Sequence, residues 1–169
     1  MARSNAEQEL RAVELAAPRP GDQVLALGHG PGVGLGPLVS AVSPGGRVVG
    51  VDPSASMRAM AARRCADSLT EGGLELRDGS AEHTGCADSS VDAAISVNNV
   101  MMWDRPAGFA EVFRVLRPGG RLVIIVHRHV LPVSPDELGE ELEAAGFPHV
   151  EITTRERRRN SPAPHDQIK

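Results

Sequence analysis

The chain has 169 residues, enough for one domain with a real core: 41% are hydrophobic and 24% charged. A net charge of −4 excludes an overall positive field that would draw in nucleic acid or a membrane surface. With one Trp, three Phe and no Tyr there is no stacking platform for single-stranded bases. Cys65 and Cys86 match no zinc spacing and read as reduced thiols. No apolar segment follows Met1-Ala-Arg-Ser and no run approaches membrane-spanning length, so the expected location is cytoplasmic.

Asn5 is placed to cap a helix running to about Ala17, with Leu10, Val13 and Ala17 on one face, and Pro18-Arg-Pro20 breaks it. Val24 to Leu27 reads as a buried strand. It empties into a turn with glycine at every second position, Gly28, Gly30, Gly32 and Gly34, where the backbone can bend sharply and meet a ligand without a Cβ in the way. A helix over 35–42 follows and Ser43-Pro-Gly-Gly46 ends it. The second strand, Arg47 to Val51, runs into Asp52; an acid at the tip of a parallel strand can accept hydrogen bonds from a ribose diol. Ser54 caps a helix to about Arg64 that turns Met57, Met60 and Ala61 inward, and Gly72-Gly73 precedes a short strand over 74–77.

Val91 to Val97 reads as a fourth strand. Pro106 opens a helix in which Phe109, Val112, Phe113 and Leu116 follow helical spacing. Arg117-Pro-Gly-Gly120 is a tight turn into the apolar strand Arg121 to Val126. Ser134-Pro-Asp-Glu137 has the pattern of a capping box, its helix carrying Leu138, Leu142 and Ala145 to Gly146. His149 to Thr153 is a last strand candidate, and 155–169 reads as a loose basic tail containing prolines, separate from a domain over 1–154. Strands alternate with helices, and their apolar runs are too continuous for one-sided burial, so the fold class is α/β, a mostly parallel sheet with helices on both faces. Ligands of such sheets bind beyond the carboxyl ends of the strands. The Gly28 turn, Asp52, the Asp78-Gly-Ser-Ala81 loop and Asn98-Asn99 all fall at that edge.

With those residues assembled, the chain resembles a class I S-adenosylmethionine-dependent methyltransferase of the small-molecule, ubiquinone/menaquinone-type branch. The resemblance covers about Glu9 to Ile152. It is carried by Val24-Leu-Ala-Leu-Gly-His-Gly-Pro-Gly32, Val49-Gly-Val-Asp-Pro-Ser54 and Glu111-Val-Phe-Arg-Val-Leu-Arg-Pro-Gly-Gly-Arg-Leu122. It implies a three-layer, Rossmann-like, doubly wound sheet, S-adenosyl-L-methionine as cofactor, and methyl transfer to a small-molecule acceptor. It also implies the site. Gly28, His29, Gly30, Pro31 and Gly32 would wrap the methionine portion, and Asp52 would take the ribose hydroxyls. Pro53, Ser54 and Met57 would lie near the adenine, with Gly79, Ser80 and Ala81 at its edge and Asn98 facing the reaction centre.

Three features depart from the resemblance. Ala26 stands where the family keeps an acid that anchors the cofactor's ammonium group, and losing one charge-assisted hydrogen bond weakens binding by about ten- to a hundredfold. Ser80 replaces a common Asp. The closing antiparallel hairpin is expected to be shortened or missing, because Arg-Glu-Arg-Arg-Arg-Asn-Ser-Pro follows Thr154; an edge left open there invites a homodimer. No catalytic residue is singled out. His127, Asn98 and His29 are the candidates, two of them balanced by a plainer reading: a solvated strand lip for His127 with His129, an outward-pointing turn residue for His29. No metal site is expected. A nicotinamide oxidoreductase is disfavoured by Val33 at the third glycine position of that fingerprint. The alternative that stays open is a methyltransferase-fold protein that binds cofactor or a small molecule without transferring methyl.

Overall fold

The computed structural model describes residues 2–155 and 165–168. Seven strands form one sheet: β1 (Gln23–Leu27), β2 (Arg47–Val51), β3 (Leu74–Arg77), β4 (Val91–Val97), β5 (Leu116–His127), β6 (Ile152–Arg155) and β7 (His165–Ile168). Their order is β3-β2-β1-β4-β5-β7-β6. β1 to β5 pair in parallel, and β7 runs antiparallel to both β5 and β6. The order reverses between β1 and β4, which creates the crevice where ligands of doubly wound sheets bind.

Side chains alternate across the sheet and sort the core into two layers. Leu25, Leu27, Val49, Val51, Ile124 and Val126 point to one face, where Phe109, Val112 and Val115 of α5 (Arg105–Val115) and Leu138 and Leu142 of α6 (Pro135–Ala144) cover them. Val24, Ala26, Val48, Ile95, Val123 and Ile125 point to the other. There they meet Ala12 and Ala16 of α1 (Ala2–Ala16), Leu35 and Leu38 of α2 (Leu35–Val42) and Ala61 of α3 (Ala55–Arg64). Burial on both faces is why these strands read as continuous apolar runs. Helix starts follow local chemistry. Ser54 accepts from the Met57 amide, Asp104 from the Ala107 amide, and Ser134 and Glu137 form the expected reciprocal capping box.

Several expectations are corrected. The first helix begins at Ala2 and Asn5 lies inside it. Met60 is exposed, because Ala61 alone is turned fully to the core. A short helix, α4 (Ala66–Thr70), follows Cys65. Arg117 to Gly120 is looped out of a continuous strand, since Val91 pairs with Leu116 and Ala93 with Arg121. Phe113 leaves the core face and packs edge-on against Phe147, with ring centroids 5.4 Å apart. The closing hairpin is present in a shortened form, four residues in each strand, and the last strand candidate is displaced to Ile152–Arg155. Residues 165–168, assigned from sequence to the loose tail, are strand β7, which covers the edge of β5 that was expected to stay open. The backbone groups of β5 need partners, and any extended segment supplies them whatever its side chains. The rest of the basic run after Arg155 lies outside the described residues.

Candidate active site at the carboxyl edge of the sheet

The segments expected to converge do so. The Gly28 amide donates to the Val51 carbonyl (2.8 Å), the Asp52 amide to the Arg77 carbonyl (3.3 Å), and the Asn98 amide to the Ile125 carbonyl (2.8 Å). The glycine turn and the ends of β2 and β3 are thereby fixed to one another, as are the ends of β4 and β5. Gly28 (φ 59°) and Gly32 (φ 80°) have left-handed backbones, and a Cβ on either would collide, with the Asn99 amide group and with Ala61 respectively. α3 braces the turn from outside: Arg64 Nε donates to the Pro31 carbonyl (3.0 Å).

Asp52 is buried and organises this edge. Its Oδ2 accepts from the Gly30 amide and its Oδ1 from the Ser54 amide, both at 2.8 Å. A carboxylate has about four lone-pair sites, so two such bonds orient it and leave capacity for a further donor. Arg58 Nη1 bridges the Asp52 carbonyl (2.6 Å) and Asp78 Oδ1 (2.9 Å), joining the α3 side to the loop after β3. In that loop the Ser80 amide donates to the His83 carbonyl and the His83 amide to the Ser80 carbonyl, both at 3.2 Å, while Ala81 is buried and Gly79 leaves no room for a side chain against His83. Pro53 is exposed; Ser54 and Met57 are half-buried beside it.

The three catalytic candidates part company. His29 turns inward. Its Nδ1 faces the Gly30 carbonyl at 2.8 Å, its ring fills the space that a side chain on Gly50 would take, and burial lowers its pKa, so the ring stays neutral beneath the turn. Asn98 (φ 55°) is at the rim; its Nδ2 donates to Gln8 Oε1 (2.7 Å) and its Oδ1 accepts from the His127 amide (3.1 Å). His127 is half-buried at the end of β5, its ring 5.4 Å from that of exposed His129. Among the described residues no group of three His, Cys, Asp or Glu side chains is gathered to hold a metal.

Sequence reasoning placed Asn99 at this edge without giving it a role, and missed Gln8 and Glu9. Asn99 is buried and ties the turn to β4: its Nδ2 donates to the Leu27 carbonyl (2.7 Å), and its Oδ1 accepts from Ser96 Oγ (2.8 Å) and Trp103 Nε1 (2.9 Å). The Asn98-Asn99 pair signalled a polar rim, not the division of labour within it. Gln8 and Glu9 of α1 reach the same edge. Glu9 lines a small, partly open cavity of about 10 Å³ with Ala26, Gly28, His29, Gly34 and Val97, and burial pushes its carboxyl up to about 7. Nothing in local sequence ties α1 to the turn; only packing does. A wider cleft of about 790 Å³ lies at the opposite, amino end of β5, beside Arg117 and Phe147, away from the converged edge.

Residues 25–124 match the family described as methyltransferase domain. The chain is 31% identical over 140 residues to the uncharacterized methyltransferase YdaC of Bacillus subtilis, covering 78% of this chain and 75% of that one. It is 34% identical over 162 residues to the arsenite methyltransferase of Halobacterium salinarum, covering 83% of this chain and 41% of that one. Across the leading curated relatives it spans between 36% and 75% of their length. Its fold matches phosphoethanolamine N-methyltransferase 2 of Haemonchus contortus in complex with S-adenosyl-L-methionine. The TM-score is 0.76 and the identity 22%, over 88% of this chain and 38% of that one.

Proposed function

We propose that this chain, which belongs to the S-adenosylmethionine-dependent methyltransferases, uses its glycine turn and Asp52 to hold that cofactor and transfers its methyl group to a small-molecule acceptor. The observation that carries the reading is the tethering of the turn to Asp52. The same carboxylate that shapes the glycine loop through Gly30 retains acceptor capacity for a ribose diol, and the neighbouring Cβ positions at Gly28 and Gly32 have to be empty. The residues present fit the cofactor: Gly28, Gly30, Pro31 and Gly32 along its methionine portion, Asp52 on the ribose, Pro53, Ser54 and Met57 beside the adenine, and Gly79, Ser80 and Ala81 at the adenine edge.

When bound, the cofactor supplies a methyl group activated on a sulfonium. The protein's part is alignment and exclusion of water, which convert an encounter into an oriented, effectively unimolecular step. Asn98, fixed by Gln8 and by the His127 amide, holds the end of β4 in place facing the reaction centre. His127, whose backbone amide is tied to Asn98, is the candidate to accept a proton from an acceptor that must lose one. His29, buried under the turn, takes no such part. The acceptor's small size is supported by relatives that include a named arsenite methyltransferase. A cytoplasmic setting accords with two free cysteines. A homodimer through a sheet edge would form along β3 or β6, the outermost strands, since β7 covers β5; a monomeric mass by light scattering removes it.

Calorimetric titration tests the reading. S-adenosylmethionine and S-adenosylhomocysteine should both bind, and Asp52→Ala should cost about 2–4 kcal/mol of affinity through the lost ribose contacts and the loosened turn. No heat and no thermal shift at millimolar ligand would defeat it; binding without turnover on any acceptor would favour a non-methylating role.

A further inference from the structure

We infer that helix α1 supplies the acidic end of the cofactor pocket, with Glu9 receiving the ammonium group of the cofactor's methionine portion. The inference rests on the reading of this pocket as an S-adenosylmethionine site.

Glu9 stands against the glycine turn. A Cβ on Gly34 would collide with its Oε2 and lie 3.2 Å from its Cδ, so the turn approaches this carboxylate closely because Gly34 has no side chain. No hydrogen bond or ion pair reaches Glu9 among the described residues, and burial alone accounts for its raised pKa. The cavity that it lines is otherwise walled by glycines, by Ala26 and by apolar side chains of β1, α2 and β4. His29 is the one other polar side chain there, and its buried Nε2 also lacks a partner. With Nδ1 facing a carbonyl, Nδ1 carries the proton and Nε2 is an acceptor. An unpartnered carboxyl and an unpartnered imidazole nitrogen therefore face one small space at the turn, where the ionised carboxylate is costly until a cation arrives.

The cofactor carries a matching donor, a primary ammonium with three N–H bonds. The other carboxylates at this edge are committed. Asp52 accepts the Gly30 and Ser54 amides, and Asp78 is exposed and paired with Arg58. β1 itself offers only Ala26. Glu9 is the remaining carboxylate, and it reaches the turn from a different element. A cation beside it favours the ionised form, so binding near neutrality expels a proton from Glu9. His29 is the one other titratable group lining the cavity, and burial already holds it neutral.

Titration of the unaltered chain and of Glu9→Gln with two ligands tests this. S-adenosylhomocysteine carries the ammonium; 5′-methylthioadenosine shares the adenosine and sulfur but has no amino-acid portion. Glu9→Gln should weaken the first about ten- to a hundredfold and leave the second unchanged. In the unaltered chain, S-adenosylhomocysteine should bind more tightly as pH rises through about 7. Near that pH, calorimetry in two buffers of different ionisation enthalpy should show proton release, a readout that needs no variant. Equal binding of S-adenosylhomocysteine by both chains, or no proton release, would overturn the role of Glu9. If the unaltered chain binds neither ligand, the cofactor reading fails instead.

Discussion

At the residue scale, the turn and β4 are held together by a buried amide whose partners are all internal. Asn99 serves Leu27, Ser96 and Trp103 at once from a buried position. Asn99→Ala leaves an indole N–H, a hydroxyl and a strand carbonyl without partners, so it should cost about 2–4 kcal/mol of stability in urea denaturation. A loss below about 1 kcal/mol would mean that water replaces the amide. Glu9 makes the opposite prediction. Its folded pKa, about 7, exceeds the ordinary 4.5, so the stability of its protonated form is fully present below about pH 4.5 and lost as pH rises through about 7. The shift corresponds to about 3 kcal/mol at most. Without ligand, Glu9→Gln should therefore be the more stable chain at pH 8 and match the parent near pH 4. Denaturation curves at the two pH values decide it, and a less stable variant at pH 8 would refute the account.

At the element scale, what the sequence shows depends on how local the cause is. The Ser134 and Ser54 caps, the α2 bounds and strands β1 to β4 were legible because caps, glycine breaks and apolar runs act over a few residues. β7 was not. His165-Asp-Gln-Ile168 has no apolar alternation and follows Pro164, yet it lies between β5 and β6, with Gln167 opposite both Ile125 and Thr153. Its pairing answers an unfilled edge formed forty residues earlier in the chain, which no window around it contains. Gln167→Pro removes an amide from this inner strand and should destabilise the fold by about 3 kcal/mol or more in thermal denaturation. An unchanged midpoint would show that β7 contributes little.

At the scale of the whole molecule, one sheet joins two apolar layers, and the site sits where the strand order reverses. Elements from both layers meet there: α1 and α3 from one face, the turn before α5 through Trp103 from the other. A ligand that touches β1, β2, β3 and β4 together should stabilise the domain as one unit. Saturation to about a hundredfold above Kd adds about 2.7 kcal/mol. Differential scanning calorimetry with S-adenosylhomocysteine should show a single transition moved upward; two transitions, only one of them moved, would contradict a single cooperative body.

The sequence by itself determined the layered α/β architecture, the glycine turn and the acid at the end of β2, because those depend on period, spacing and backbone freedom, and its resemblance to the methyltransferases implied the cofactor. It also exposed the gap at Ala26. Only the tertiary structure brings another carboxylate, Glu9, into the cavity that Ala26 lines. Packing of α1 across β4 and β5 carries Gln8 to Asn98 and Glu9 to the turn, and the bare backbone of Gly50 leaves room for His29 beneath it. Contacts between residues so far apart in the chain arise from burying one helix face on a finished sheet, and local sequence holds no record of them.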